Sequence, residues 1–379
     1  MTRRIAGLRT WIALASFFAL GFWGAANSAE GSAPLVEPSM ERRPNKDYWP
    51  GTLDREAYVV LRLTVGADGK ATDVQIIDGF YEPRFADAAV QLMKDTRFKP
   101  ATRAGIPEAF EGYLFAVTFR LKGVDARGIT PSFRTELNKA VALIKANQLA
   151  EAHMQVEHML ADEVTVLYEM KVLEAILAET HQSIGNLPEA LANSRKATST
   201  VDGRHDRYKV GGKPPSISAA RFVLPEPVLS ATLRRRIMLD AQLGYVSDAL
   251  QAYWELAGRK ALEPGDAVQA LIPKLEARLA SPEPLAAIAR IGQDGRWTHA
   301  PTRRTFSVTN VSGGKLRDIR VNCGTYRRVL NFQKDVDWTL PPIYPRCDLV
   351  FTGDPGTDFL IVEADLPNGP TDKDSASGT

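Results

Sequence analysis

The stretch TRFKPATRAGIP (residues 96–107) lies between an amphipathic helical pattern and a run rich in aromatic and β-branched residues. It holds two prolines, a glycine and three basic residues. Pro100 biases Lys99 out of helical geometry and forbids continuation of a helix. Gly105 and Pro107 then shape a loop. Phe98 is expected to anchor the end of the preceding helix in a core.

That helix opens at Pro83, in a first turn where a missing N–H costs nothing. Phe85, Ala88, Ala89, Leu92 and Met93 follow at i, i+3, i+4, i+7 and i+8, forming one apolar stripe. Upstream, AYVVLRLTVGADGKATDVQII (57–77) reads as a hairpin. Ala57, Val59, Leu61, Leu63 and Val65 alternate onto one face, and GADGKA supplies Asp-Gly turn chemistry. Val74 and Ile76 continue in the returning strand, with Ile77 on the opposite face. Downstream, YLFAVTFRL (113–121) is the third strand. Its Phe115, Val117, Phe119 and Leu121 should pack on the helix. Tyr113 begins the same face at the strand's end, nearer solvent. Leu114, Ala116, Thr118 and Arg120 face the other way.

Over residues 55–123, this order of hairpin, helix, aromatic-Lys-Pro-Ala, Gly-x-Pro and strand resembles the C-terminal domain of the TonB family. The segments that carry the resemblance are VGADGKATDVQII, FADAAVQLMKDTRFKPA, GIP and YLFAVTFRL. It implies that strand 113–121 lies at a sheet edge, where an extended peptide from an outer-membrane receptor pairs with it. In such β-augmentation the main chain supplies affinity and side-chain pockets supply selectivity. The partner-binding residues so implied are Tyr113, Leu114, Ala116, Thr118 and Arg120, and the partner is an envelope protein or peptide. An edge of this kind is also a place for the linker or another domain to cover, because unprotected edges are normally blunted. The family's energy transducers keep a membrane helix bearing a histidine, followed by a long Pro-rich rod. Here residues 11–26 hold no histidine. The segment before the domain is about 25 residues and reaches roughly 80 Å at full extension.

The N-terminus points to export. Arg3, Arg4 and Arg9 precede the apolar run WIALASFFALGFWGAA (11–26), and small residues follow for cleavage after Ser28. Residues 1–28 therefore read as a signal peptide and the chain as periplasmic. The run is shorter than the roughly 20 residues that span a bilayer. An uncleaved inner-membrane anchor is the alternative, and membrane contact is expected only in that form. Removing residues 1–28 takes the formal charge from +2 to −1, which gives no bulk reason for nucleic-acid binding. Export makes a disulfide between the two cysteines, Cys323 and Cys347, the expected state.

Residues 29–54, with Pro34, Pro38, Pro44 and Pro50, read as an extended linker. Residues 129–282 carry long helical patterns. NQLAEAH (147–153), GNLPEAL (185–191) and GYVSDAL (244–250) align, with Ala152, Ala190 and Ala249 at one offset. This resembles tetratricopeptide repeats, in which a small residue at that site lets paired helices approach closely. The stretch from Asp202 to Pro227 reads as an inserted loop. Residues 284–366 change to short alternating runs, six of them between 305 and 364, the cadence of an antiparallel sandwich or barrel. Residues 367–379 read as a disordered tail. The fold class is thus multidomain α+β: a small β-β-α-β domain, a helical-repeat domain and a C-terminal β domain.

The sequence carries no nucleophile elbow, metalloprotease motif, Walker loop or dinucleotide fingerprint. His153 and His158 fall about 140° apart on a helix and cannot share a metal. The histidines read as polar-face residues. No catalytic residue, cofactor or metal is implied. A basic cluster, GRHDRYKVGGK (203–213) with Arg234, Arg235 and Arg236, reads as a solvated face or as a site for an acidic partner. The chain is expected to be a non-enzymatic, exported interaction protein that binds an extended peptide by strand addition and through a helical-repeat surface. The alternatives are a membrane-anchored TonB-like transducer and an envelope enzyme with an unrecognised site.

Overall fold

A computed structural model describes residues 35–42, 54–121, 128–199, 224–293, 295–323, 326–342 and 347–365. The expected signal peptide, most of the linker, the 203–213 cluster and the tail lie outside these residues. Among the described residues no helix is long and apolar enough to cross a membrane.

Strands β1 (Leu35–Val36) and β2 (Ser39–Arg42) come first, then β3 (Ala57–Val65), β4 (Ala71–Phe80) and helix α1 (Pro83–Asp95). Short strands β5 (Arg97–Lys99), β6 (Ala101–Arg103) and β7 (Ile106–Glu108) precede the long β8 (Phe110–Phe119). The main sheet has the order β4-β3-β8, all antiparallel. Ala57, Val59, Leu61, Leu63 and Val65 pack on Phe85, Ala89 and Met93 of α1, with Ala88 and Leu92 partly buried beside them. Phe85 meets Phe119 at 5.2 Å between ring centroids.

The Pro-rich stretch is more ordered than a loop. Helix α1 ends at Asp95, with Thr96 extended and its Oγ1 donating to the Leu92 carbonyl, so the last helical residue lies five positions before Pro100. Phe98 is buried as expected. Its N–H donates to the Gly69 carbonyl at 3.0 Å. Gly69 has φ +75°, and a Cβ there would lie 2.2 Å from the Phe98 oxygen, so only glycine fits the Asp-Gly turn. Ala104 and Gly105 turn β6 into β7. Residues 35–42, expected within an extended linker, instead pair with this stretch: β1 with β6 and β2 with β5. Met40 packs against the same core. These are pairings of distant segments, which local composition does not encode.

Seven helices follow: α2 (Pro131–Lys145), α3 (Leu149–Asp162), α4 (Leu167–Ser183), α5 (Leu187–Thr198), α6 (Glu226–Gln242), α7 (Val246–Gly258) and α8 (Ala267–Ala280). The turns α2–α3, α4–α5 and α6–α7 carry Asn147, Gly185 and Gly244 at positive φ. Ala152, Ala190 and Ala249 sit on the first turn of each second helix with no exposure. A larger side chain at these sites would push the paired helices apart. Pro227 belongs to the first turn of α6 rather than to the inserted loop. Arg234, Arg235 and Arg236 are engaged separately, by Asp266, by Glu179 with Gln182, and by Asp240 with Thr198. The triple arginine therefore ties helices together and offers no common basic patch.

Strands β9 (Leu285–Arg290), β10 (Arg296–His299), β11 (Thr305–Ser312), β12 (Leu316–Cys323), β13 (Tyr326–Asn331), β14 (Trp338–Thr339), β15 (Asp348–Gly353) and β16 (Asp358–Ala364) complete the described chain. They form two antiparallel sheets, β10-β15-β12-β13 and β14-β11-β16-β9. Strands β9 and β10 precede the first alternating run read from the sequence. Cys323 and Cys347 are joined, both buried in the core between the sheets. Closing that loop stabilises by about 3 kcal/mol. Gly244, φ +92°, lies so close to the Ala286 carbonyl that a Cβ would fall 1.9 Å from it, and Ile288 N–H donates to the Leu243 carbonyl. The helical layer is thereby stitched to β9.

Two buried carboxylates tie α4 to its neighbours, Glu169 to the start of α2 and Glu56 to the β4-β3-β8 sheet. Buried Glu169 accepts from the Thr130, Thr165 and Val166 N–H groups and both threonine hydroxyls. Buried Glu56 accepts from Leu121 and Leu167 N–H. These N–H groups have no helical partner of their own. Replacing Glu169 with Ala leaves several buried donors unsatisfied and should lower stability by about 3–5 kcal/mol, read by urea unfolding.

His158 is exposed and pairs with Asp162, as a polar-face residue should, but other histidines depart from that expectation. His153 and His181 stand edge to face at 4.5 Å, each with a buried Nδ1 that has no hydrogen-bond partner. His299 is buried against Glu363 and stacked on Trp297. Burial, then His153 and Arg290, hold His181 below its ordinary range, against the pull of Glu157. A base so depressed binds its proton more weakly when folded, so its contribution is full above about pH 6.5 and is lost as pH falls below that value. Burial raises Asp240 and Glu255, which act in the opposite sense. Melting temperature should fall from pH 7.5 to about pH 5.5 more steeply in the wild type than in His181→Phe.

Candidate functional site

Strand β8 lies at the end of the order β4-β3-β8, and among the described residues no further strand pairs beyond it. Its register sets Leu63 opposite Tyr113, Arg62 opposite Leu114, Val60 opposite Ala116 and Tyr58 opposite Thr118. The five side chains expected at a partner surface go to different places. Tyr113 is buried, not near solvent, because Phe98 and Phe110 close on its ring at 5.6 and 6.4 Å. Leu114 lines a cleft beside Arg62. Ala116 is buried and Thr118 half-buried, in the row that includes Tyr58 and Val60. Arg120 reaches Glu56 at 3.4 Å, in the joint with α4. What these residues share is the main chain of one strand.

The reason lies on the face of β3 turned away from α1. Tyr58 and Val60 pack with Phe133, Leu167, Met170 and Leu173 of the helical layer. Lys171, buried, stands 5.1 Å from the Tyr58 ring centroid and donates to Ser199. The sequence marks this face only by its aromatic and β-branched residues, a signal that strand propensity alone also explains.

Beyond Val60 the same face opens into a cleft of about 1110 Å³ shared by the β4-β3-β8 sheet, the start of α5, strand β9 and the β10-β15-β12-β13 sheet. Arg327 of β13 latches its walls together. It pairs with Asp73 of β4 and with Glu111 of β8 at 2.8 Å, and donates to Thr64 of β3 at 3.3 Å. Asp73 has φ +51° and lies where the β3–β4 register shifts, so a bulge aims its carboxylate at the arginine. That hydrogen bond holds Asp73 below the usual carboxylate range, against modest burial. On the far side, Arg195 joins Asp240 at 2.6 Å and Asp248 at 2.7 Å and lies over the Tyr245 ring.

The buried His299–Glu363 pair borders a space of about 10 Å³, which is water-sized and not substrate-sized. Glu363 also accepts from Thr302 and Arg303 N–H, which makes the pair a structural joint. No group of three or more potential metal ligands occurs among the described residues.

Residues 52–121 match the family model described as Gram-negative bacterial TonB protein C-terminal. This portion of the chain, under a fifth of its length, is a TonB C-terminal domain. No curated protein matches the chain.

Reversing the latch tests how the cleft walls are held. Arg327→Glu would face Asp73 and Glu111 with a like charge. It should open the cleft while leaving each core intact, raising the small-angle scattering radius and exposing β13 to limited proteolysis.

Proposed function

We propose that this chain is a non-enzymatic, periplasmic TonB-like interaction protein that receives an extended envelope peptide along β8. The observation that carries the reading is the terminal position of this ten-residue strand in a TonB C-terminal domain. Main-chain pairing gives such an edge affinity with little demand on side chains. That fits the finding that Tyr113, Ala116 and Arg120 are occupied in cores and joints while the strand itself stays terminal. The helical layer supports the strand from behind, through Tyr58 and Val60. The helical-repeat surface expected to bind partners is, on this reading, first a buttress, because its α4 and α5 sides pack on the other two domains.

Proline substitution tests strand addition. In an antiparallel pair, N–H groups of alternate residues point to opposite sides. Of Val117→Pro and Thr118→Pro, one therefore breaks the ladder to β3 and destabilises the domain. The other should melt cooperatively yet lose at least about tenfold in capture of outer-membrane proteins by the immobilised chain. Undiminished capture by the folded variant overturns the reading.

A further inference from the structure

The cleft is strongly basic. Arg62, Arg296, Arg320, Arg327 and Arg328 line it from four strands, and Glu189 is the one carboxylate among the described residues that line it. Several of its cations are spent on the protein itself. Arg327 and Arg195 are paired as described, and Arg290 forms a fork with Asp358.

Arg62 is different. It is 9 % exposed, faces the cleft, and its side chain makes no hydrogen bond or ion pair with any described residue. Asp348 attracts it from beyond ion-pair distance, while Arg327 and Arg296 repel it. Burying a guanidinium without a partner carries a desolvation cost of several kcal/mol. A cation kept under that cost, at the floor of a concavity, is suited to receive an anion. Register places Gln75, Arg62 and Leu114 in one cross-strand row, and all three line the cleft. Arg320 is half exposed, 3.7 Å from Asp318, and Arg328 is exposed, so further positive charge stands at the mouth.

The shape and lining select among anions. At about 1110 Å³ the space exceeds most small-molecule sites, which run to about 1,000 Å³. Its cations come from four separate strands, with Arg296 and Arg327 near enough to Arg62 to repel it. Between them lie Leu114, Ile288, Trp297, Val329 and Val350. A compact phosphate would engage the arginines alone and leave the apolar lining untouched. A chain that alternates carboxylates with apolar side chains would engage both. We propose that this cleft binds an acidic peptide segment, one of whose carboxylates accepts the guanidinium fork of Arg62 while Arg320 and Arg328 draw others to the mouth. This surface is the face of the β4-β3-β8 sheet, separate from the β8 edge, so the proposal stands or falls independently of strand addition.

The experiment is calorimetric titration of the chain at low salt with three probes: the peptide Glu-Leu-Glu-Leu-Glu, its glutamine counterpart and inorganic pyrophosphate. The acidic peptide should bind, and the glutamine peptide should bind at least about tenfold more weakly. Arg62→Met should abolish acidic-peptide binding without lowering the melting temperature, since it removes an unpartnered buried charge. If that variant does not fold, Arg62→Lys keeps the charge but loses the planar fork, and should weaken binding about tenfold. Arg328→Gln should weaken binding a few-fold and flatten its salt dependence. Three results would overturn the proposal: no binding of the acidic peptide, binding unchanged in the Arg62 variants, or Arg62-dependent binding of pyrophosphate in preference to the peptide.

Discussion

Everything in this molecule hangs on strand β3 being covered on both faces. One face, from Ala57 to Val65, meets helix α1 and closes the small domain. The other begins with Tyr58 and Val60 against the helical layer and continues with Arg62 at the cleft. A three-stranded antiparallel sheet with one helix normally leaves its second face in water. Here that face is a shared wall. The helical layer thus becomes part of the domain's fold, and the C-terminal sheets approach close enough for Arg327 to grip all three strands.

The joints follow one chemical pattern. A carboxylate on one element accepts N–H groups or arginines from another: Glu56 between the sheet and α4, Glu169 between α4 and the start of α2, Asp73 beneath Arg327, and Glu363 among the C-terminal strands. Apolar contact alone tolerates sliding, because it is roughly proportional to area and has no direction. Acceptors that satisfy helix-terminal N–H groups fix orientation, since the donors point along the helix axis. Arginine 303 extends the pattern by donating to the carbonyls of Ser281 and Pro282, where α8 hands the chain to β9.

Legibility in the sequence tracked how local each interaction is. The stripe Phe85, Ala89, Met93, the alternation of β3 toward α1, the Asp-Gly turn and buried Phe98 rest on period and turn chemistry, and could be read directly. The paired cysteines could be read from the expected export and their places at the ends of predicted strands. The second face of β3 could not, because a single aromatic and a valine beside Arg62 look like an ordinary solvent face. Nor could the pairing of residues 35–42 with β5 and β6, which joins segments more than fifty residues apart. In the sequence, its position at a strand end places Tyr113 near solvent. The ring is buried because Phe110 extends β8 by three residues before it. Arg62 is not legible, because an arginine in a strand usually reads as exposed, and only the packing of other elements against the β4-β3-β8 sheet makes it a buried cation.

The proposed edge and the proposed cleft would be two uses of one sheet, differing in what they read. Pairing along β8 would read main chain and tolerate sequence. The cleft around Arg62 would read charge and be selective. Both rest on β3, and the β3–β4 register shifts on either side of Arg62, between Val60 and Leu61 and between Arg62 and Thr64. Bulges bend a strand and re-aim its side chains. The least regular part of the sheet therefore lies under the cation that faces the cleft, directly across from Leu114 of β8. The terminal strand and the cleft-facing cation therefore meet in one cross-strand row, at Leu114 and Arg62.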